Sequence, residues 1–290
     1  MTTTPIADSA PPVTPRRTRR YVERKPEQVA RIVAAYTAGD GLDTVAQREG
    51  CSVTRVSSVL KRAGVAARPA GKPRTYTHDP TYFDAITDEA RAYWLGFLLA
   101  DGCVTNGNRL QLLLGVVDRA HVDAFREALR STHPIVERAT VGGYKPGAVI
   151  VHYSLRCSHL AAALARWGVT PRKSHTAVPP VLPPELARHF WRGMVDGDGY
   201  ISTSGRLTTV GLTGNAVVCE AFRVWVVGVC ETRASVTRNN SGRKFAVGGT
   251  TGPNTTVTTL LRALYAGSTV YLPRKHAKAA ARLGIAPEAL

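Results

Sequence analysis

Two Asp-Gly steps in this sequence each close an apolar stretch studded with small residues. The first stretch is Trp94-Leu95-Gly96-Phe97-Leu98-Leu99-Ala100-Asp101-Gly102, and the second is Trp191-Arg192-Gly193-Met194-Val195-Asp196-Gly197-Asp198-Gly199. Read as helices, Gly96 and Ala100 lie one turn apart on one face, and so do Gly193 and Gly197. Small residues at that spacing let two backbones approach closely. Two such helices, crossing, would set Asp101 and Asp198 side by side at their C-terminal ends, where the helix dipoles are also negative. Paired carboxylates in a helix seam are costly unless something neutralises them. A divalent cation does so most economically. Oxygen ligands with open water positions suit Mg²⁺, with Mn²⁺ as substitute, and Gly102 and Gly199 are counted in the same candidate metal site. Asp196 stands where the first stretch has Leu99, so it reads as a helix-end or supporting residue. As plain turn signals the two Asp-Gly steps would leave the small-residue faces unexplained.

The two stretches belong to an internal repeat. Asp101-Gly102 falls on Asp198-Gly199 at an offset of 97, as do Arg109-Leu110 on Arg206-Leu207 and Ala124-Phe125-Arg126 on Ala221-Phe222-Arg223. Pro171-Arg172-Lys173 corresponds to Pro273-Arg274-Lys275 at an offset of 102, which a longer loop in the second copy accounts for. Each copy is expected to run helix, hairpin, amphipathic helix, two extended segments and a closing helix. In the first copy these fall at 89–101, 109–114, 121–129, 134–139, 148–156 and 160–167. In the second they fall at 184–198, 206–210, 218–227, 234–238, 244–249 and 256–265. The fold class is therefore α+β, an αββαββα unit twice over with pseudo-twofold symmetry, spanning 82–180 and 181–290.

The paired Asp-ended helices resemble the two signature helices of LAGLIDADG homing endonucleases, and the resemblance spans about 93–275. It implies a saddle whose antiparallel sheets lie in the DNA major groove. It implies further that Asp101 and Asp198 are catalytic and hold metal and phosphate at the cleavage point of each strand. Lys173 and Lys275, 72 and 77 residues after their aspartates, match a basic residue that the family keeps near the scissile phosphate. Arg172 and Arg274 are substitutes for them.

By alternation along the first hairpin, Leu110, Leu112 and Leu114 share one face and Arg109, Gln111 and Leu113 the other. The polar face is expected to meet DNA, as are Arg206 and Thr208 in the second copy. Asn106, Asn108, Arg238, Asn239, Asn240, Arg243 and Lys244 complete that set.

Composition agrees with a polyanionic partner. The 290 residues carry a formal net charge of +17, which favours nucleic acid and does not specify a fold. The basic residues do not gather on one amphipathic helix, and no apolar run is long enough to span a bilayer, so no membrane partner is expected. Five cysteines, an odd number without CxxC spacing, point away from disulfides and zinc and towards a reducing cytoplasm, in a bacterial or phage-infected cell.

Ahead of the repeat, residues 1–24 read as a disordered basic tail. Residues 25–66 read as a small all-α domain resembling a helix-turn-helix, with Ala46 at the helix contact and Gly50 at the turn. Thr54, Arg55, Ser57, Ser58 and Lys61 would then face a groove. Residues 67–81 read as a basic linker in which Arg68, Lys72 and Arg74 could track phosphates or a minor groove.

The expected activity is that of a monomeric endonuclease cutting both strands of a long duplex. The alternatives are a DNA-binding regulator on an inactive scaffold of this kind, or a maturase acting on intron RNA.

Overall fold

Several helix starts in this chain coincide with side chains that can take an orphan backbone N–H. Ser52 accepts from Arg55 N, Asp88 from Arg91 N, Asn215 from Val218 N and Thr255 from Thr258 N. The structure is a computed structural model in which residues 25–68, 75–140, 147–231, 244–250, 252 and 255–290 are described. The chain is α+β and divides into two units between residues 73 and 74.

The first unit holds three helices: α1 (Pro26–Thr37), α2 (Leu42–Arg48) and α3 (Val53–Arg62). Ile32, Tyr36, Val45, Ala46, Val56, Val59 and Leu60 form its core. Gly50 turns the chain between α2 and α3 at φ +62°, a conformation that costs glycine little. Arg68 belongs to this unit and not to a free linker. Its guanidinium lies 4.2 Å from the Tyr36 ring centroid and donates to the carbonyls of Tyr36, Gly39 and Asp40, capping the end of α1.

The second unit contains both repeats. The first runs α4 (Glu89–Ala100), β1 (Cys103–Val104), β2 (Arg109–Gly115), α5 (Arg119–Ala128), β3 (Ile135–Ala139), β4 (Val149–Arg156) and α6 (Ser158–Arg166). Its antiparallel sheet has the order β1-β2-β4-β3. The second runs α7 (Pro184–Asp198), β5 (Gly199–Ser204), β6 (Leu207–Thr213), α8 (Ala216–Cys230), β7 (Lys244–Thr250) and α9 (Thr256–Tyr265), with sheet order β5-β6-β7. The strand expected at 234–238 lies outside the described residues. The second copy then departs from the expected plan. It adds α10 (Pro273–Leu283), so Arg274 and Lys275 sit in a helix, whereas Lys173 sits in a short 3₁₀ turn.

Three further sequence readings need correction. Residues 75–81 are tied to the first repeat and are not linker: Thr77 N donates to Thr132 Oγ1 at 2.8 Å, Thr132 N to Thr77 O at 3.0 Å and Asp79 N to Leu129 O at 2.8 Å. Arg206 lies in the β5–β6 turn and not in a strand. Thr208 does not face outward. It is fully buried while Leu207 is 55% exposed, because Thr208 shares its face with Val210 and Leu212, which are core residues. The β6 face therefore lines up with Leu110 and Leu112 one residue further along than the repeat spacing suggested, and a one-residue slip reverses every side chain of a strand. Thr208 Oγ1 is left without a hydrogen-bond partner among the described residues.

What positions the Asp-Gly steps is the crossing of α4 and α7. A Cβ on Gly96 would stand 2.0 Å from Phe190 O, one on Gly193 2.1 Å from Tyr93 O, and one on Gly197 2.4 Å from the Ala100 Cβ. All are far inside contact distance, so the helices touch backbone to backbone. Gly193→Ala should push the helices apart and cost on the order of 3 kcal/mol or more, seen as a lowered unfolding midpoint. A variant as stable as the parent would contradict this crossing.

Candidate active site

The crossing brings the two acids to one place. Asp101 ends α4, and its Oδ2 lies 3.5 Å from where a Cβ of Gly197 would stand, one residue before Asp198 on α7. Asp101 and Asp198 are both exposed residues. Crowding by protein raises the Asp198 carboxyl to about 6, and the Asp101 charge pushes the same way, against Lys173 and Lys275. Asp101 is also raised by its surroundings, with Lys275, Lys173, and Arg274 opposing. Burial and like charge of this kind are what a divalent cation relieves.

Among the described residues no group of three or more His, Cys, Asp or Glu converges on a metal position. The donor set is the two carboxylates, which suits a hard cation that completes its shell with water and phosphate oxygen. Gly199 fits the expected metal site less well. Its carbonyl accepts Lys275 Nζ at 2.6 Å, so its oxygen already faces a cation.

Both lysines are buried at the ends of these helices, where they cap carbonyls. Lys275 Nζ donates to Val195 O, Asp196 O, Gly197 O and Gly199 O at 2.7, 2.7, 3.3 and 2.6 Å. Lys173 Nζ donates to Ala100 O at 3.0 Å. Burial lowers both ammonium groups, Lys275 to about 8, while the nearby aspartates act the other way. Each lysine thus answers the negative end of one helix and stands in the field of the aspartates.

A buried polar network beneath the seam carries little signal in the sequence. Asp196 accepts from Tyr93 OH at 2.8 Å, Tyr265 OH at 2.7 Å and Leu272 N at 2.7 Å. Arg192 is fully buried and donates to Leu264 O, Val270 O, His189 Nδ1 and, at 2.6 Å, to Glu89 Oε1. Asp196 is therefore a supporting residue, as expected, while Arg192 was missed. Its signal was a charged residue standing where the first copy has Leu95.

On the outward face of the first sheet, Arg109 stands opposite Arg156, Gln111 opposite Ser154 and Leu113 opposite His152. Gln111 Nε2 and His152 Nε2 are 3.2 Å apart. On the second sheet Lys244 lies over the Tyr200 ring, Nζ 4.3 Å from its centroid. Arg206 is exposed at the hairpin tip. In the first unit Thr54, Ser57, Ser58 and Lys61 are exposed, whereas Arg55 is half-buried, 3.4 Å from Gln28 Oε1. Lys72, Arg74, Arg238, Asn239, Asn240 and Arg243 lie outside the described residues. All five cysteines are free thiols, and among the described residues no helix is long and apolar enough to cross a membrane.

No family model matches the chain, and no curated protein does. Similar solved structures exist. One is the homing endonuclease I-WcaI bound to its DNA recognition sequence, with a TM-score of 0.49 and 11% identity over 78% of this chain and 98% of that one. Another is the N-terminal LAGLIDADG domain of DUF199/WhiA, with a TM-score of 0.41 and 12% identity over 68% of this chain and 92% of that one. A third is the I-LtrWI LAGLIDADG homing endonuclease bound to target DNA, with a TM-score of 0.35 and 11% identity over 59% and 79%.

The geometry separates the two lysines. Lys275→Met should take a donor from four carbonyls around the end of α7 and cost about 3 kcal/mol, while Lys173→Met, losing one partner, should cost about 1. Denaturant midpoints measure this, and equal losses would refute the capping assignment.

The Asp198 carboxyl gives a pH test. Its folded value of about 6 lies above the usual carboxylate range, so its charge opposes folding. That opposition is complete above about pH 6 and fades as pH falls towards 4. Asp198→Asn should therefore stabilise the metal-free protein at pH 7.5, by about 1 kcal/mol after allowance for solvent screening. The gain should vanish near pH 4. Thermal melts at the two pH values read it directly, and a gain independent of pH would be inconsistent with the raised carboxyl.

Proposed function

We propose that this protein is a site-specific DNA endonuclease of the LAGLIDADG type, hydrolysing one phosphodiester in each strand of a duplex. The observation that carries the reading is the convergence of Asp101 and Asp198 at a backbone-to-backbone helix crossing, with one buried lysine at each helix end. Asp101 and Asp198 would hold the divalent ion, which when bound supplies Lewis-acid polarisation of phosphate and a water of lowered pKa. The chain's own contribution is placement. The glycine contacts fix the carboxylates, and Lys173 and Lys275 offset negative charge where an anionic transition state would form. At each cut, water adds to phosphorus and the P–O3′ bond breaks. That leaves a 5′-phosphate and a 3′-hydroxyl.

The outer face of the first sheet supports duplex DNA as the substrate. Like charges directly opposite on a sheet are unfavourable, and Arg109 faces Arg156. An anionic partner removes that cost, and Arg is suited to paired hydrogen bonds with guanine or phosphate. The three-helix unit, with Ser57, Ser58 and Lys61 exposed on α3, would add a helix-turn-helix contact. A DNA-binding regulator on an inactive scaffold would have no need of both acids. RNA maturation would show as cleavage or splicing help on RNA alone.

The deciding experiment is incubation with a duplex library with and without Mg²⁺, followed by sequencing of new ends. Discrete, Mg²⁺-dependent ends are expected. Asp101→Asn and Asp198→Asn should each abolish double-strand cutting, by about a thousandfold or more, yet bind the recovered site in Ca²⁺ as the parent does. Binding without cutting by the parent would turn the reading towards the regulator.

A further inference from the structure

The repeat spacing that relates Asp101 to Asp198 also relates Asp118 to Asn215 and His121 to Val218. The two sides of the seam are therefore built differently. On the Asp101 side, Arg274 Nε donates to Asp118 Oδ1 at 3.0 Å and Oδ2 at 3.1 Å, and the Asp118 side chain is 9% exposed. The pair joins the second repeat to the first, and the Arg274 charge reaches both Asp101 and His121. His121 is buried against Tyr93, Trp94 and Phe97, its Nε2 3.0 Å from Tyr93 OH.

The Asp198 side has neither closure. Asn215 Oδ1 accepts from Val218 N at 2.9 Å, and its amide nitrogen donates to Ala177 O at 2.8 Å. Arg172, the counterpart of Arg274, is exposed at φ +58° and makes no ion pair among the described residues. What remains there is a cleft of about 350 Å³ whose walls include Ala100, Lys173, Met194, Asp198, Asn215 and Val218. The lysines differ in the same sense. Lys173 has one carbonyl partner and borders the cleft, while Lys275 is held by four.

We propose that the two halves of the seam cut in a fixed order. The strand entering the open cleft beside Asp198 and Lys173 is hydrolysed first, and the Arg274–Asp118 pair delays the strand at Asp101. The proposal rests on the endonuclease reading. Each cut consumes one water: its oxygen bonds to phosphorus, the P–O3′ electron pair leaves on O3′, and O3′ takes the proton that the water sheds. Asp118 and Arg274 act here as positioning residues.

The test uses the full-length chain and a duplex carrying the site recovered by end sequencing, each strand labelled separately. The parent should pass through a nicked intermediate with the nick always in the same strand. Asp118→Asn, which gives the first side the residue type of the second, should shorten the life of that intermediate about fivefold. The strand nicked first should not change. Arg274→Gln breaks the same pair from the other side and should act alike, while Asp118→Glu should restore the parent's lag. Unfolding midpoints monitor the fold of each variant, and a merely structural pair would move those without moving the nick lifetime. First nicks shared equally between strands, or an unchanged lifetime in both pair-breaking variants, would overturn the proposal. Normal duplex binding in Ca²⁺ with no cut in either strand in Mg²⁺ would instead defeat the endonuclease reading, and this order with it.

Discussion

Everything in the second unit follows from two helices that touch without side chains between them. Gly96, Gly193 and the Ala100–Gly197 contact allow α4 and α7 to approach until a Cβ would overlap a carbonyl oxygen. Such an approach leaves the last residue of each helix facing the other's, so the same contact that stabilises the seam forces two carboxylates together. The rest of the seam offsets the consequences. Lys275 and Lys173 satisfy carbonyls that the helix ends leave open, and their charge partly answers the aspartates. A cation-binding seam of this kind needs dense backbone packing and uncompensated negative charge at one point, and the glycine positions supply both.

Much of this was legible because it depends on period and residue size. The one-turn spacing of small residues placed the crossing, and the repeat paired Asp101 with Asp198. Arg109 and Gln111 came out on the outward face because alternation along β2 is regular. Reading failed where the copies differ by one residue. Thr208 inherited an orientation from Gln111 through a repeat spacing that holds for the helices but slips in the second hairpin, and the buried face follows Val210 and Leu212 instead. The linker was overextended for a related reason. Thr77 and Asp79 have no periodicity to read, and their hydrogen bonds to residues 129–132 are visible only in three dimensions.

Arg192 shows a different limit. Within one helix it looks like an ordinary polar residue, and only its partners explain full burial. A guanidinium leaves water only if its N–H donors are matched, and Leu264, Val270, His189 and Glu89 take four of the five from three separate stretches of chain. No local pattern encodes that convergence. Comparison of the copies does hint at it, since Arg192 and Asp196 occupy the places of Leu95 and Leu99. A charge that replaces a core leucine in a duplicated fold has to be paired.

That pairing also sets which halves can recognise one another. Arg192 and Asp196 of the second repeat draw on Glu89 and Tyr93 of the first. In the second repeat the equivalent places hold Leu186 and Phe190, which offer neither a carboxylate nor a hydroxyl. If two second repeats from different chains came together across the same glycines, each buried guanidinium would keep its carbonyl partners but lose the carboxylate that balances its charge. Two first repeats would meet with Leu95 and Leu99 and leave Glu89 without its arginine. Exchange of like halves between molecules is therefore penalised, and the seam acts as a lock that accepts only the unlike half.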